Sequence, residues 1–175
     1  MTQEEFIQKH QTKKLPEIAL LLSKHPELDK EFILNQINGI QKAKNKLLEF
    51  ANTEGIIFPS KLSFEQCSSE QTAIYKSNLS KFNSVIDLTG GFGIDSYYFS
   101  KKVKHVAYVE PNKELFSIVK QNFSTLNTPN TTLINSTCEE FLKDNPPKFA
   151  GGLSTRARAQ VAYSVRVCCF YHQLA

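Results

Sequence analysis

The chain has 175 residues, 41% of them hydrophobic and 22% charged, which is enough to bury the core of one ordinary domain or of a small domain with a helical extension. This composition excludes a disordered chain, and the lack of any apolar run of roughly 18 residues argues against a transmembrane helix. The formal net charge of +4 is no evidence for a polyanionic partner of the folded part, because the excess comes from four late residues: Lys148, Arg156, Arg158 and Arg166.

The amino-terminal segment MTQEEFIQKH carries acidic residues and lacks both an apolar core and a cleavage site, so no secretory signal is expected. The four cysteines form no CxxC pair and have no metal-ligand spacing with the histidines. The sequence therefore predicts reduced thiols, no metal site and a cytoplasmic protein.

Residues 1–60 are predicted to form a helical amino-terminal region. Thr2 and Glu5 have the spacing of a capping box, and Pro16 and Pro26 separate segments with apolar residues at helical spacing. Three lysines of the last long helix could contact phosphate, although lysines on the outer face of an amphipathic helix are more often only solvated: Lys42, Lys44 and Lys46.

Strands and helices alternate after a predicted linker at 55–59 and a helix capped by Ser68 or Ser69. The predicted strands are 84–88, read as buried, 105–110 and 131–135. Such alternation implies right-handed crossovers and a parallel sheet. We therefore expect an α/β, Rossmann-like fold over residues 61–148, with about three recognisable strands, preceded by the α-helical region.

A glycine turn follows the first predicted strand in VIDLTGGFGID. Asp87 ends the strand, and Gly90, Gly91 and Gly93 allow positive φ or close approach of a ligand to the backbone, although a plain strand-to-helix turn would also use glycine. Glu110 ends the second strand, and the carboxyl ends of adjacent parallel strands line a ligand crevice. Its carboxylate could accept both ribose hydroxyls or simply be solvated.

These residues resemble class I S-adenosylmethionine-dependent methyltransferases, whose D-x-x-x-G-x-G motif is matched by Asp87, Gly91 and Gly93. The resemblance implies S-adenosylmethionine as cofactor, with the glycine backbone against its adenosyl and methionine portions and Glu110 on the ribose. Thr137 lies nearest to the position where these enzymes often place an Asp that receives the adenine amino group.

The stretch FEQCSSEQTAIYK, with DLTGGFGID and YVEPN, resembles a bacterial family of RNA-type methyltransferases that have a helical amino-terminal part and a THUMP-like carboxyl-terminal domain. The resemblance covers residues 62–142 and implies an RNA substrate, tRNA or rRNA. Ser68, Ser69 and Thr72 could bind the methionine carboxylate, although Ser69 could equally be only a helix cap. Asp95 could bind the cofactor's ammonium group or only complement a helix start.

The second half of such a sheet and its acceptor motif are not recognisable, so no catalytic residue is predicted. The Asn-Pro-Pro of residues 145–147 follows a predicted helix and is interpreted as a helix stop. Residues 149–175 contain every arginine and no acid, which suggests a non-native end or a natural basic tail or strand pair. A truncated enzyme with an open sheet edge is expected to be weakly stable or to self-associate.

Two other functions stay open. A truncated methyltransferase could serve as a non-catalytic RNA- or protein-binding module. A dinucleotide-binding oxidoreductase is disfavoured, because a G-x-G-x-x-G pattern that starts at Gly91 would place Ser96 at the third glycine and leave Asp87 without a role.

Overall fold

The structure is a computed structural model, and it describes residues 1–145. The helices in this range are α1 Gln3–His10, α2 Leu15–Leu22, α3 Lys30–Lys46, α4 Leu48–Asn52, α5 Lys61–Gln66, α6 Glu70–Leu79, α7 Ile94–Ser100, α8 Lys113–Thr125 and α9 Cys138–Asp144. The strands are β1 Ser84–Asp87, β2 His105–Val109 and β3 Thr131–Ile134. The atypical segment 149–175 lies outside the described residues, as do Pro146 and Pro147.

The first three helices form a small core of their own. The capping box at the start of α1 is confirmed, because Glu5 N donates to Thr2 Oγ1 at 3.2 Å and Thr2 N donates to Glu5 Oε2 at 2.8 Å. The apolar faces of α1, α2 and the first half of α3 meet in one buried cluster: Phe6, Ile18, Leu22, Leu28, Ile33 and Ile37.

A second, larger core joins the helical region to the α/β part. Ala43 and Leu47, near the end of α3, and Phe50 of α4 pack in one cluster with Phe92 and Tyr97. Helix α3 therefore contributes to both cores. The domain boundary at residue 60 stays a prediction, and the packing across it is continuous.

Residues 56–59 of the segment predicted as a linker form a largely buried strip between α3 and α8, whereas Gly55 is exposed and has a φ of 82°. The side-chain amide of Gln36 in α3 binds both backbone groups of Phe58. Gln36 Nε2 donates to Phe58 O at 2.8 Å, and Phe58 N donates to Gln36 Oε1 at 3.0 Å. In the same way, Asn122 Nδ2 of α8 donates to Ile57 O and Ile57 N donates to Asn122 Oδ1, each at 2.8 Å. Because side-chain amides satisfy these backbone groups, the strip is buried without pairing to a strand.

The sheet is parallel in the order β1-β2-β3, with Ser84 beside His105 and Val106 beside Thr131. This confirms the α/β, Rossmann-like prediction. The expectation that the first strand is buried is wrong, because β1 is an edge strand within residues 1–145 and Ile86 is 46% exposed. Self-association through this edge stays a prediction.

Helix α9 ends at Asp144, where the helix stop was predicted. None of the helices within residues 1–145 combines the length and the apolar character that crossing a bilayer requires.

Candidate cofactor-binding site

The glycine turn between β1 and α7 is tied to the second strand. Gly91 has a φ of 53° and Gly93 a φ of 77°, conformations that favour glycine. Gly90 N donates to Val109 O at 2.9 Å, and the Tyr108 hydroxyl donates to Gly91 O at 2.6 Å. The turn is therefore held at the carboxyl end of β2. The sequence predicts ligand binding at this end of the strands.

The space beside the three glycines differs. A Cβ added to Gly90 would lie 2.8 Å from Tyr108 Cζ and closer still to two other ring atoms, so the protein itself fills this space. A Cβ on Gly93 would lie 3.0 Å from a carbon of Phe123 in α8. A Cβ on Gly91 would meet only Thr89 O, at 3.8 Å, so this position alone among the three has the open side that close approach of a ligand requires. Ligand contacts at Gly90 and Gly93 stay predictions.

Asp87 braces the turn from inside the protein. Its Oδ2 accepts a hydrogen bond from Ser96 Oγ at 2.7 Å, and its Oδ1 accepts one from Thr89 N at 3.3 Å. Burial raises the pKa of the Asp87 carboxyl, and the hydrogen bond from Ser96 opposes this rise. Asp87 thus positions the turn against α7, and its contact with a cofactor stays a prediction.

Glu110 connects the ends of the two strands. Its Oε2 accepts from Gly91 N at 2.9 Å and its Oε1 accepts from Asn112 N at 2.8 Å, while the residue is only 8% exposed. Asn135, which follows β3, donates to Glu110 O at 2.7 Å. A carboxylate can accept about four hydrogen bonds, so both Glu110 oxygens keep acceptor capacity for hydroxyl groups.

Ser68, Lys76 and Asp95 form a polar cluster between α6 and α7, named the Lys76 cluster below. Asp95 Oδ2 accepts from Lys76 Nζ at 2.8 Å and from Ser68 Oγ at 2.9 Å, and Lys76 Nζ lies 2.9 Å from Ser68 Oγ. Two predicted site residues are thus brought together, with a lysine that the sequence did not single out.

Two of the other predicted hydroxyl residues, Ser69 and Thr137, cap helices. Ser69 is the N-cap of α6, accepting from Thr72 N at 3.2 Å, and its hydroxyl lies 2.8 Å from the Thr72 hydroxyl. Thr137 is the N-cap of α9 in a capping box with Glu140. These roles need no ligand. Cofactor contacts of Ser69, Thr72 and Thr137 stay predictions.

Two of the three lysines considered for phosphate contact have partners in α5. Lys42 pairs with Glu65 at 2.6 Å, and Lys46 donates to the carbonyls of Phe64 and Glu65 at 2.8 and 2.9 Å. They therefore fasten α5 to α3, and Lys44 alone of the three is fully on the exposed face.

An unpredicted cluster fastens α4 to the helix that follows the glycine turn. Glu49 accepts from the Tyr97 hydroxyl at 2.6 Å, from the Tyr98 hydroxyl at 2.9 Å, and from Lys101 Nζ at 2.5 and 2.6 Å. Burial alone would raise the pKa of Glu49, but the hydrogen bonds from Lys101 and the two tyrosines lower it overall. The only sequence signal was the acid itself, about 50 residues before its partners.

A recess lies away from this site, at the amino end of β3. It has a volume of about 250 Å³, and its lining includes Lys120, Ser124, Thr128 and Thr131. Within residues 1–145 no group of His, Cys, Asp and Glu is arranged to hold a metal ion. The glycine turn and Glu110 are at the opposite end of the strands, so the recess is not the predicted cofactor site.

No known family model matches this chain, and no curated protein matches it. A crystal structure described as a "putative methyltransferase" from Porphyromonas gingivalis W83 matches with a TM-score of 0.64 and 26% identity, over 82% of this chain. The neighbour supports a methyltransferase fold. This chain spans 38% of that neighbour's length. A second structure, yhhF from Escherichia coli, also described as a "putative methyltransferase", matches over 48% of this chain and 45% of its own, with 18% identity and a TM-score of 0.37.

Proposed function

We propose that this chain binds S-adenosylmethionine at the carboxyl ends of β1 and β2 and belongs to an RNA-modifying methyltransferase. The observation that carries the proposal is the 2.9 Å hydrogen bond from Gly91 N to Glu110 Oε2. It joins the acid at the end of one strand to the glycine turn at the end of its neighbour. The methyltransferase fold of the P. gingivalis neighbour supports the same function.

The residues near the carboxyl ends of β1 and β2 fit the chemical groups of the cofactor. Gly91 has an open side against which a nucleoside can lie, and Glu110 keeps acceptor capacity for ribose hydroxyls. Asp95 Oδ1 is buried and has no hydrogen-bond partner within residues 1–145, so it can accept from an ammonium group. Each group has a complementary partner at the site.

The bound cofactor would supply an activated methyl group on a sulfonium, so the protein's main tasks are to hold and orient it. Glu110 would fix the ribose through its carboxylate while also holding the Gly91 amide. Asp87 and Ser96 would keep the glycine turn rigid from the protein interior, because their 2.7 Å hydrogen bond is buried. The acceptor, tRNA or rRNA, is proposed from the resemblance of residues 62–142.

A non-catalytic RNA- or protein-binding module stays the second candidate. A dinucleotide oxidoreductase is less well supported. Its third glycine would stand in place of Ser96, which here gives Asp87 a buried hydrogen bond. The hydrogen bond from Ser96 gives Asp87 a structural role, whereas the oxidoreductase interpretation assigns Asp87 no role.

The proposal is tested by thermal unfolding of the protein with S-adenosylhomocysteine, S-adenosylmethionine or NAD. A ligand at about 100 times its dissociation constant stabilises the native state by about 2.7 kcal/mol, which corresponds to roughly 5 to 11 °C for a chain of this size. We expect that shift with the first two ligands only. Glu110→Gln should reduce it, whereas Glu114→Gln, which changes an exposed acid in the first turn of α8, should not. No shift with either sulfur compound, or an equal shift with NAD, would contradict the proposal.

A further inference from the structure

Three loops meet at the amino ends of the strands and form one surface, named the amino-end face below: residues 80–83, 101–104 and 126–130. Two asparagines fasten these loops together. Asn83 O accepts from Lys104 N at 2.8 Å, and Asn130 Nδ2 donates to Val103 O at 3.0 Å. The five-residue strand β2 separates this face from the glycine turn by about 15 Å, so the face is distinct from the candidate cofactor site.

The amino-end face carries positive charge and no acid. Its three loops contain neither Asp nor Glu. Lys81, Lys102 and Lys104 are exposed, and none of them makes an ion pair with a group of residues 1–145. Because no acid follows Asp144 in the sequence, the remaining residues offer these lysines no carboxylate side chain either. The overall balance of lysines and acids before Lys148 does not reveal this local excess of charge.

Interactions within the protein do not account for these three charges. Lys101 of the same face is already paired with Glu49, at 2.5 Å, and the Lys76 cluster retains its own lysine. Lysines also offset the partial negative charge at the carboxyl ends of helices, but this effect falls off within the last turn. Lys104 lies four residues after Ser100, where α7 ends, and is therefore outside that turn. The three ammonium groups are available to an external anion.

An aromatic ring and a recess accompany the lysines. Phe82 is 39% exposed and lies between Lys81 and Asn83. Exposed rings next to cations are typical of surfaces that bind single-stranded nucleic acid, because bases stack on the ring while the cations contact phosphates. The recess of about 250 Å³ is lined in part by Thr128 of the third loop and adds a further cation, Lys120. The amino-end face can thus contact both the bases and the phosphates of an RNA strand.

We propose that the amino-end face binds a single-stranded segment of the RNA substrate, with Lys102 and Lys104 on phosphates and Phe82 stacked against a base. The inference takes RNA from the proposed function and adds a contact surface at the end of the sheet opposite the methyl donor. Because only about 15 Å separates the two ends, one RNA molecule can contact this face while another part of it reaches the cofactor site.

The test is the fluorescence anisotropy of a labelled single-stranded RNA of mixed sequence, about 15 nucleotides long, titrated with the full chain. Lys102→Met combined with Lys104→Met removes two phosphate contacts, so we expect binding to weaken by about tenfold or more in about 0.1 M salt. The slope of log affinity against log salt should fall in magnitude by about 1.4, since each contact on a single strand contributes about 0.7.

Lys24→Met combined with Lys30→Met is the matched control, because both lysines are exposed on the helical region and make no ion pair among residues 1–145. This control should change neither the affinity nor the slope. The basic residues that follow Asp144 are common to all variants, so they cannot cause a difference between them. No RNA binding by the wild-type protein, or equal losses in the two double variants, would overturn the inference.

Phe82→Leu separates RNA from other polyanions. It keeps an apolar side chain and removes the ring, so it should weaken RNA by about fivefold or more, the usual effect of losing one stacked base. Polyphosphate, which carries the charges but no bases, should bind wild type and Phe82→Leu equally. Equal weakening of both probes would overturn the role of the ring. Weaker binding of phosphatidylserine vesicles by the lysine variant, with RNA binding unchanged, would assign the face to a membrane surface and overturn the inference.

Two further measurements keep the inference separate from the proposed cofactor site and from misfolding. The lysine variant should retain the melting shift with S-adenosylhomocysteine, because the amino-end face lies at the other end of the strands. No such shift in wild type, with the RNA results as expected, would refute the cofactor site and leave this inference standing. On the unmodified protein, bound RNA should slow acetylation of Lys102 and Lys104 and leave Lys24 and Lys30 unchanged. Equal protection of all four, or of none, would contradict the inference.

Discussion

Gly90→Ala should destabilise the protein through a clash with one aromatic ring. The new Cβ would lie 2.8 Å from Tyr108 Cζ, and closer to two other ring carbons, whereas carbon atoms in contact are normally about 3.5 to 4.0 Å apart. The ring is fully buried, and its hydroxyl is anchored on Gly91 O at 2.6 Å, so it cannot move away without losing that bond. Overpacking costs about 1 to 3 kcal/mol and the hydrogen bond about 1, so we expect a loss of about 2 to 4 kcal/mol.

The assay is urea unfolding of wild type, Gly90→Ala, Tyr108→Leu and the double variant. If the ring causes the defect, removing it should offset part of the cost, and the double variant should be about 1 to 2 kcal/mol more stable than the sum of the two changes predicts. Tyr108→Phe is the control, because it keeps the ring and most of the clash. A Gly90→Ala variant within about 0.5 kcal/mol of wild type, or strictly additive changes, would refute this reasoning.

Three further predictions concern contacts that hold the site. Asn122→Ala leaves the partly buried N–H and C=O groups of Ile57 without their side-chain partner and should cost roughly 1 to 3 kcal/mol in a denaturant titration. A loss below about 0.5 kcal/mol would show that these groups find other partners. Glu49→Gln should cost roughly 1 kcal/mol at neutral pH, since solvent screens the partly exposed pair with Lys101, and a cost that persists unchanged at high salt would argue against an electrostatic origin. Because burial raises the pKa of Asp87, the native state holds its proton more tightly than the unfolded chain, so its contribution to stability falls as pH rises from about 3.9 through the raised pKa. Asp87→Asn should remove this part of the pH dependence, and parallel stability curves for wild type and variant would contradict it.

The α/β fold was predictable because its signals are local. The glycine turn, the acids at the strand ends and the alternation of strands with helices all lie within short stretches of sequence. The sequence predicted that the glycines allow positive φ, and Gly91 has it. It placed Glu110 at the end of the neighbouring strand but did not predict its hydrogen bond with Gly91 N. The exposure of Ile86 did not, because whether a strand is buried depends on what lies beside it in the sheet.

The supporting contacts were not predictable because they join distant residues. Gln36 binds Phe58 across 22 residues, and Asn122 binds Ile57 across 65. Lys76 meets Asp95 across 19 residues, and neither residue type nor spacing marks the pair. The need for glycine at position 90 could not be assigned from sequence either, because it comes from the Tyr108 ring on the neighbouring strand. The sequence indicated which strand ends lie side by side, and packing determined which of their polar atoms remain available.

The most direct test of the cofactor site is an amide NMR titration of the protein with S-adenosylhomocysteine. We predict that the amide signals of Gly91 and Asn112, whose N–H groups both donate to Glu110, shift on binding together with that of Gly93. The amides of Thr128 and Thr131 in the separate recess should stay in place. Shifts confined to the recess, or none at saturating ligand, would contradict a cofactor site at the ends of β1 and β2.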